Sequence, residues 1–303
     1  MQIYLPIAEI SVDVFLLLGL GSVIGFLSGI FGVGGGFLMT PLLVLIGIPP
    51  AIAVATQANH VVASSVSGVF AHWRRGNVDF KMGAVLVGGG FVGSTLGVAL
   101  FSLLREMGQI DLVINLSYVT LLSIVGGMML WEGVRAFLRR RSKLAPGKLH
   151  IHTWVHGLPL KTRFRKSRLY ISALLPFGIG LMVGVISAIM GVGGAFVLVP
   201  LMIYLLGMPT AVVIGTSLFQ IIFVSANVTF LQASQNQTVD LALAMLLIVG
   251  GVIGAQLGGR LGARLPGDTL RILLGILVLA VAARLGFELV ATPDDLYSLG
   301  IEP

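Results

Sequence analysis

The chain of 303 residues has no cysteine, which excludes disulfide frameworks, thiolate nucleophiles, cysteine-ligated metals and iron–sulfur clusters. Charge is almost as scarce. Asp, Glu, Lys and Arg make up 10% of the residues, and residues 14–73 and 169–239 contain none. No basic region precedes the first apolar run, where Glu9 and Asp13 stand instead, so residues 14–31 are expected to be a retained span and not a cleaved leader. The charge-free runs offer no carboxylate pair for a cation, and the chain has no HExxH, P-loop or nucleophilic serine context. An enzyme, a cofactor and a resident metal are therefore not expected. ATP-driven pumping by this chain alone is excluded.

Apolar residues and glycine are abundant. The chain is 56% hydrophobic with 41 glycines and a mean hydropathy of +1.02, a composition that places it in a bilayer. One crossing takes about 20 residues, so each charge-free run crosses more than once. The net charge of +7 does not imply a nucleic-acid partner, because ten of the nineteen Lys and Arg fall between Arg139 and Arg168 with no acid among them. That pattern reads as a cytoplasmic loop.

The chain uses one pattern twice. Gly32-Val33-Gly34-Gly35-Gly36-Phe37, then Pro41 and Gly47-Ile48-Pro49, is answered by Gly191-Val192-Gly193-Gly194-Ala195-Phe196, then Pro200 and Gly207-Met208-Pro209. Aligned on these glycines, Gly25 matches Gly184, Thr56 matches Thr216, His60 falls opposite Gln220, and Asp79 falls opposite Asp240. Gly89, Gly93 and Gly97 match Gly250, Gly254 and Gly258. The alignment divides the chain into a first transmembrane repeat (1–138), a basic cytoplasmic linker (139–168) and a second repeat (169–303).

Each repeat holds five apolar segments, the second of which is too short for an ordinary span and must be re-entrant or helped across by the glycines before it. Loop charge orients the repeats. Residues 74–81 carry Arg74, Arg75 and Lys81, whereas the matching residues 232–240 carry no basic residue; the next pair of loops reverses the bias, with Arg260, Arg264 and Arg271 in the second repeat. By the positive-inside rule, matched loops face opposite sides. The expected fold is thus an all-α polytopic membrane protein of two inverted-topology repeats whose broken or re-entrant helices meet near the midplane. With the linker inside, both termini are expected outside.

Two features could carry function. Unwound glycines and the helix starts after them, near Phe37 and Phe196, present amides to an anion; the candidates are Gly32, Gly34, Gly35, Gly36, Gly191, Gly193 and Gly194. The polar row after each proline break supplies Thr56, Gln57, Asn59, His60, Thr216, Ser217 and Gln220, with Ser225 and Asn227 further along. Residues 56, 60 and 64, and 216, 220 and 227, recur at helical spacing, so each row lines one face. Interhelical hydrogen bonding is the competing use of these side chains. The GxxxG ladders suit close packing within a protomer or in a homodimer. Arg284 and Glu288, four apart, read as a paired helix end, and His150, His152 and His156 as part of a solvated loop.

These residues together resemble the TauE/SafE family of sulfite and sulfonate transporters: the paired GxGGG-x4-P and GxGGA-x4-P stretches, the GxxxG helices and the loop Gly259-Arg260-Leu261-Gly262-Ala263-Arg264-Leu265-Pro266. Ala195 in place of the last glycine, and a long basic linker with three histidines, depart from that pattern. The resemblance implies a secondary transporter of a small sulfur-containing anion (sulfite, sulfoacetate or another sulfonate) in a bacterial inner membrane. A coupling proton or other ion is compatible with it. The alternatives are a transporter of a different anion and a non-transporting subunit that assembles with a partner through its glycine faces.

Overall fold

The computed structural model describes residues 2–31, 36–141, 161–164, 166–167, 169–262 and 267–290. Gly32, Gly34 and Gly35, the three linker histidines and the acids near the C-terminus lie outside the described residues.

A short hairpin opens each half. Strand β1 (Gln2–Leu5) pairs antiparallel with β2 (Ile10–Asp13) and leads into α1 (Val14–Phe31), α2 (Gly36–Leu45), α3 (Pro50–Arg74), α4 (Phe80–Glu106) and α5 (Ile110–Arg141). Strand β3 (Lys161–Phe164) pairs antiparallel with β4 (Leu169–Ser172) and leads into α6 (Leu174–Met190), α7 (Ala195–Pro200), α8 (Thr210–Leu231), α9 (Leu241–Gly262) and α10 (Gly267–Val290). The matched strand ends cap the helices that follow: Phe15 N–H donates to the Asp13 carboxylate at 2.7 Å, and Leu174 N–H donates to the Ser172 hydroxyl at 3.3 Å. The hairpins lengthen the sequence repeat at its front, and β3 falls in the stretch read as linker.

Proline and glycine set the breaks. Pro49 and Pro50 open α3, where a missing N–H costs nothing. Pro200 lacks the N–H that would continue α7, and the chain widens into a turn of π-helix over Leu201–Leu205. The 10 residues of α2 rise only about 15 Å, half of a bilayer core of roughly 30 Å. Among the described residues, five helical stretches are long and apolar enough to cross a membrane: Phe80–Glu106, Ile110–Arg135, Thr210–Asn236, Leu241–Gly258 and Ile272–Val290. Their outer faces expose residues such as Leu96, Leu100, Met245 and Ile253, as lipid contact requires. The molecule is an all-α, multi-pass membrane protein.

The two halves are interlocked. Helix α1 packs on α9 and α4 on α6, so the first helix of each half lies against the fourth helix of the other; α3 packs on α8 and α5 on α10. The glycine ladders make these contacts within the chain. A Cβ on Gly93 would overlap the Leu181 carbonyl oxygen, and one on Gly254 would overlap that of Ser22.

Two buried joints tie the halves at matched positions. Asp79 N–H donates to the Thr216 hydroxyl at 3.0 Å, and Asp240 N–H donates to the Thr56 hydroxyl at 3.0 Å. Each aspartate begins a helix, accepting from Met82 N–H at 3.1 Å or Leu243 N–H at 3.0 Å. The second carboxylate oxygen reaches the hairpin of the opposite half. For Asp79 it accepts from the N–H (3.0 Å) and hydroxyl (2.6 Å) of Ser167; for Asp240 it accepts from Ile7 N–H at 3.1 Å.

Replacing Thr216 by Ala leaves a buried amide without its acceptor. This should cost about 1–3 kcal/mol, read as a lower unfolding temperature in detergent, with Thr56→Ala costing a similar amount and Thr216→Ser close to nothing. Gly93→Val and Gly254→Val should abolish folded yield, whereas Gly127→Val, where a Cβ meets nothing within 4 Å, should match the parent chain.

Candidate functional site

Gly36, the described end of the first glycine stretch, lies against the second: a Cβ on it would fall 3.4 Å from the Val192 carbonyl oxygen. Phe37 at the start of α2 and Phe196 at the start of α7 occupy matched positions, and their ring centroids lie 5.9 Å apart. Val61 of α3 joins the stretches: a Cβ on Gly36 would fall 2.7 Å from Val61 Cγ2, and one on Gly193 would fall 2.6 Å from Val61 Cγ1. Ile221 of α8 packs on Val61 and also borders Gly193. Gly36 and Gly193 therefore meet where α3 packs on α8.

Backbone geometry is special on the second stretch. Gly191, Gly193 and Gly194 have φ of 68°, 70° and 72°, in the left-handed region that favours glycine. Gly191 ends α6, its N–H donating to the Ser187 carbonyl at 2.8 Å. Among the described residues, no hydrogen bond takes up the N–H of Gly193 or Gly194. Successive amides in such a turn form a concavity suited to an anion.

The polar rows separate into two groups. Thr56 and Thr216 are fully buried in the joints to α9 and α4, and Ser217 donates to its own helix, at the Ile214 carbonyl. These three oxygens are engaged in structure. The second group lacks protein partners: Gln57 Oε1, Asn59 Nδ2, His60 Nδ1, both amide atoms of Gln220, and Ser225 Oγ are buried without hydrogen bonds. Gln57 Nε2 donates to the Gly36 carbonyl at 2.6 Å, fixing its amide against the first glycine stretch. Ser225 Oγ would sit 3.2 Å from a Cβ on Gly193, directly beside the free amides.

His60 and Gln220 face equivalent neighbours. The His60 ring covers Gly251 of α9, and the Gln220 amide covers Gly90 of α4, two glycines at matched positions. Asn227, lower on the same row, donates to Ser94 Oγ of α4 at 2.8 Å. Within each row the residues at helical spacing share a face, and the structure adds the partner: α4 for residues 216, 220 and 227, and α9 for residues 56 and 60.

Sequence alone did not single out Ser225, although it belongs to the row, or Val61, whose apolar side chain carries no signal. It also aligned Asp79 with Asp240 without assigning them the joints. The matched aspartate three residues before each Met82 or Leu243 amide was the available sign. The described residues hold no cluster of three or more His, Asp or Glu able to grip a metal. The site is neutral, enclosed and rich in unpaired polar atoms.

The comparisons with known proteins identify the family. The family model for "Sulfite exporter TauE/SafE" matches residues 17–285. A "Probable membrane transporter protein" of Xylella fastidiosa (strain Temecula1 / ATCC 700964) is 31% identical over 273 residues, spanning 88% of this chain and 92% of its own length. The "Probable membrane transporter protein YjnA" of Bacillus subtilis is 29% identical over 245 residues, spanning 80% and 87%. A shorter match, 30% over 115 residues, reaches 25% of "Sulfite exporter TauE/SafE family protein 2" of Arabidopsis thaliana. No solved structure matches the chain significantly. The chain belongs to the TauE/SafE family of membrane transporters.

Proposed function

We propose that the protein moves a small sulfur-containing anion, such as sulfite, sulfoacetate or another sulfonate, by alternating access between two oppositely oriented halves. The observation that carries this reading is the meeting of Gly36 and the second glycine stretch beside a set of buried polar atoms that, among the described residues, have no protein partner. An unpaired buried polar group costs about 1–3 kcal/mol, so a group of them is a poor device for stability. A guest that supplies the missing partners gives them a use.

The chemistry favours an oxyanion. The amides of Gly193 and Gly194, which no described residue takes up, the Ser225 hydroxyl, and the Gln220 and Asn59 amides can donate to sulfonyl or sulfite oxygens, and no carboxylate lies among them to repel the charge. Such hydrogen bonds to a charged acceptor are worth about 1.5–3 kcal/mol each, and more of that is realised where water is excluded. The sulfur comes from the family: its description and the Arabidopsis relative's name both specify sulfite export.

Alternating access is supported by the interlocked halves and by loop charge. The Asp79 joint is flanked along the chain by Arg74, Arg75 and Lys81 and meets the basic β3–β4 hairpin, whereas the hairpin at the Asp240 joint carries Glu9 and Asp13 and no basic residue among 2–13. The positive-inside rule puts the first joint in the cytoplasm and the second on the far side of an inner membrane. Rocking of one set of helices against the other then exposes the central site to each side in turn. His60, opposite the non-titrating Gln220, serves as a neutral hydrogen-bonding wall.

Counterflow of radiolabelled sulfite into proteoliposomes tests the reading, with sulfite, a sulfonate or sulfate loaded inside. Saturable accumulation that follows the loaded sulfur anion is expected; accumulation driven only by a sulfur-free anion would replace the substrate class, and none from inserted protein would remove the transport reading. Gln220→Leu should keep or raise the unfolding temperature, because an unpaired amide gives way to an apolar side chain of similar size. The same change should weaken apparent substrate affinity by about tenfold. His60→Gln should retain transport within roughly threefold at every pH from 6 to 8, whereas loss of uptake confined to this variant would make the imidazole a proton carrier.

A further inference from the structure

Away from the glycine region, an apolar groove of about 570 Å³ opens on the outer surface where α3, α8 and the start of α4 meet. Its wall is a chain of edge-to-face aromatic rings. Phe70 meets Trp73 at 6.1 Å, Trp73 meets Phe80 at 6.3 Å, Phe80 meets Phe219 at 5.3 Å, and Phe219 meets Phe223 at 5.0 Å between centroids. Such pairs hold one another in place, so the groove is preformed. An apolar surface is ordinary in a bilayer. The rim of this one is not.

Arg74, Arg75, Lys81, Arg163 and Lys166, all exposed, lie on the segments that meet at its polar end. The Arg74 guanidinium lies 4.5 Å from the centroid of Phe70, directly above the groove wall. Lys81 Nζ donates to the Arg163 carbonyl at 3.3 Å, bringing the β3–β4 hairpin and its cations to the same place. The one acid on these segments is Asp79, which is buried and accepts from Met82 and Ser167. Helix α8 carries no charged residue at all. Positive charge at the rim is therefore uncompensated by the elements that build it.

Depth and charge fit together. From Val66 to Arg74 the helix rises about 12 Å, so the apolar channel runs from the cationic rim inward along the direction of an acyl chain. Trp73 sits at the junction, the level at which indole rings gather in membrane proteins. Basic pockets between helices on the cytoplasmic side select anionic head groups. A second copy of this chain is a poor occupant, because a two-fold contact through this face would set the like-charged rims at one depth beside each other.

We propose that this groove is a binding site for an anionic phospholipid, with one acyl chain along the aromatic wall and the phosphate held at the rim by Arg74, the neighbouring exposed cations adding to the attraction. The site is independent of the substrate site and of the transported anion.

Native mass spectrometry of the detergent-purified protein with added phosphatidylglycerol or phosphatidylcholine tests it. The protein should retain phosphatidylglycerol about tenfold or more over phosphatidylcholine. Two variants should erase that preference by separate routes: R74A/R75A, which removes exposed charge, and Val69→Trp, which fills the groove and leaves the rim. Equal retention of the two lipids by the parent protein would overturn the proposal, as would phosphatidylglycerol retention unchanged by R74A/R75A. A dimer in the parent protein that Val69→Trp converts to monomer would assign the groove to a second copy instead. Should Val69→Trp fail to fold, the exposed arginine pair decides the question alone.

Discussion

Inside a bilayer, a backbone amide released from a helix finds no water, and everything unusual in this protein follows from how such amides are placed. The chain breaks its helices at Gly191–Gly194, at Pro200 and before Pro49 and Pro209, and again where α4 and α9 begin. At the last two places the amides of Asp79 and Asp240 are taken by Thr216 and Thr56 from the opposite half. At Gly193 and Gly194 the described residues leave them open. The first arrangement holds the halves together; in the proposed function the second supplies donors to the transported anion.

The broken helices and the membrane class were legible because glycine and proline act on the backbone itself: Gly191 ends α6 in the left-handed region and Pro200 gives way to a turn of π-helix, although Pro41 lies inside α2 without breaking it. The polar rows were legible as faces but not as contacts. Helical spacing shows that Thr56 and His60 share a side, yet it cannot show that the side meets α9, where Asp240 consumes the threonine and Gly251 receives the imidazole. Candidates of one chemical type thus divide in the fold into structural and unpaired groups.

The hairpins were hidden for a different reason. Strands of four residues such as Gln2–Leu5 and Lys161–Phe164 are too short for alternation to register, and the second lies in a stretch whose charge speaks for a linker. Their role is also non-local: each is fixed by a carboxylate in the other half, 233 residues from Ile7 and 88 residues from Ser167. Val61 illustrates the same limit on a smaller scale. An isopropyl group that touches two glycine stretches looks in sequence like any other valine of an apolar helix.

The packing of α1 on α9 has a consequence for how the protein is made. Helix α1 ends at Phe31 and α9 begins at Leu241, so the glycine face of α1 is synthesised long before the surface that covers it. At a translation rate of about 5–20 residues per second, that face waits roughly 10–40 s in the membrane. During this interval its close-packing surface is open to any small-residue helix nearby. Helix α4, whose partner α6 begins at Leu174, has a much shorter wait. Assembly therefore proceeds from the centre of the chain outward, and the first helix to be made is among the last to be seated.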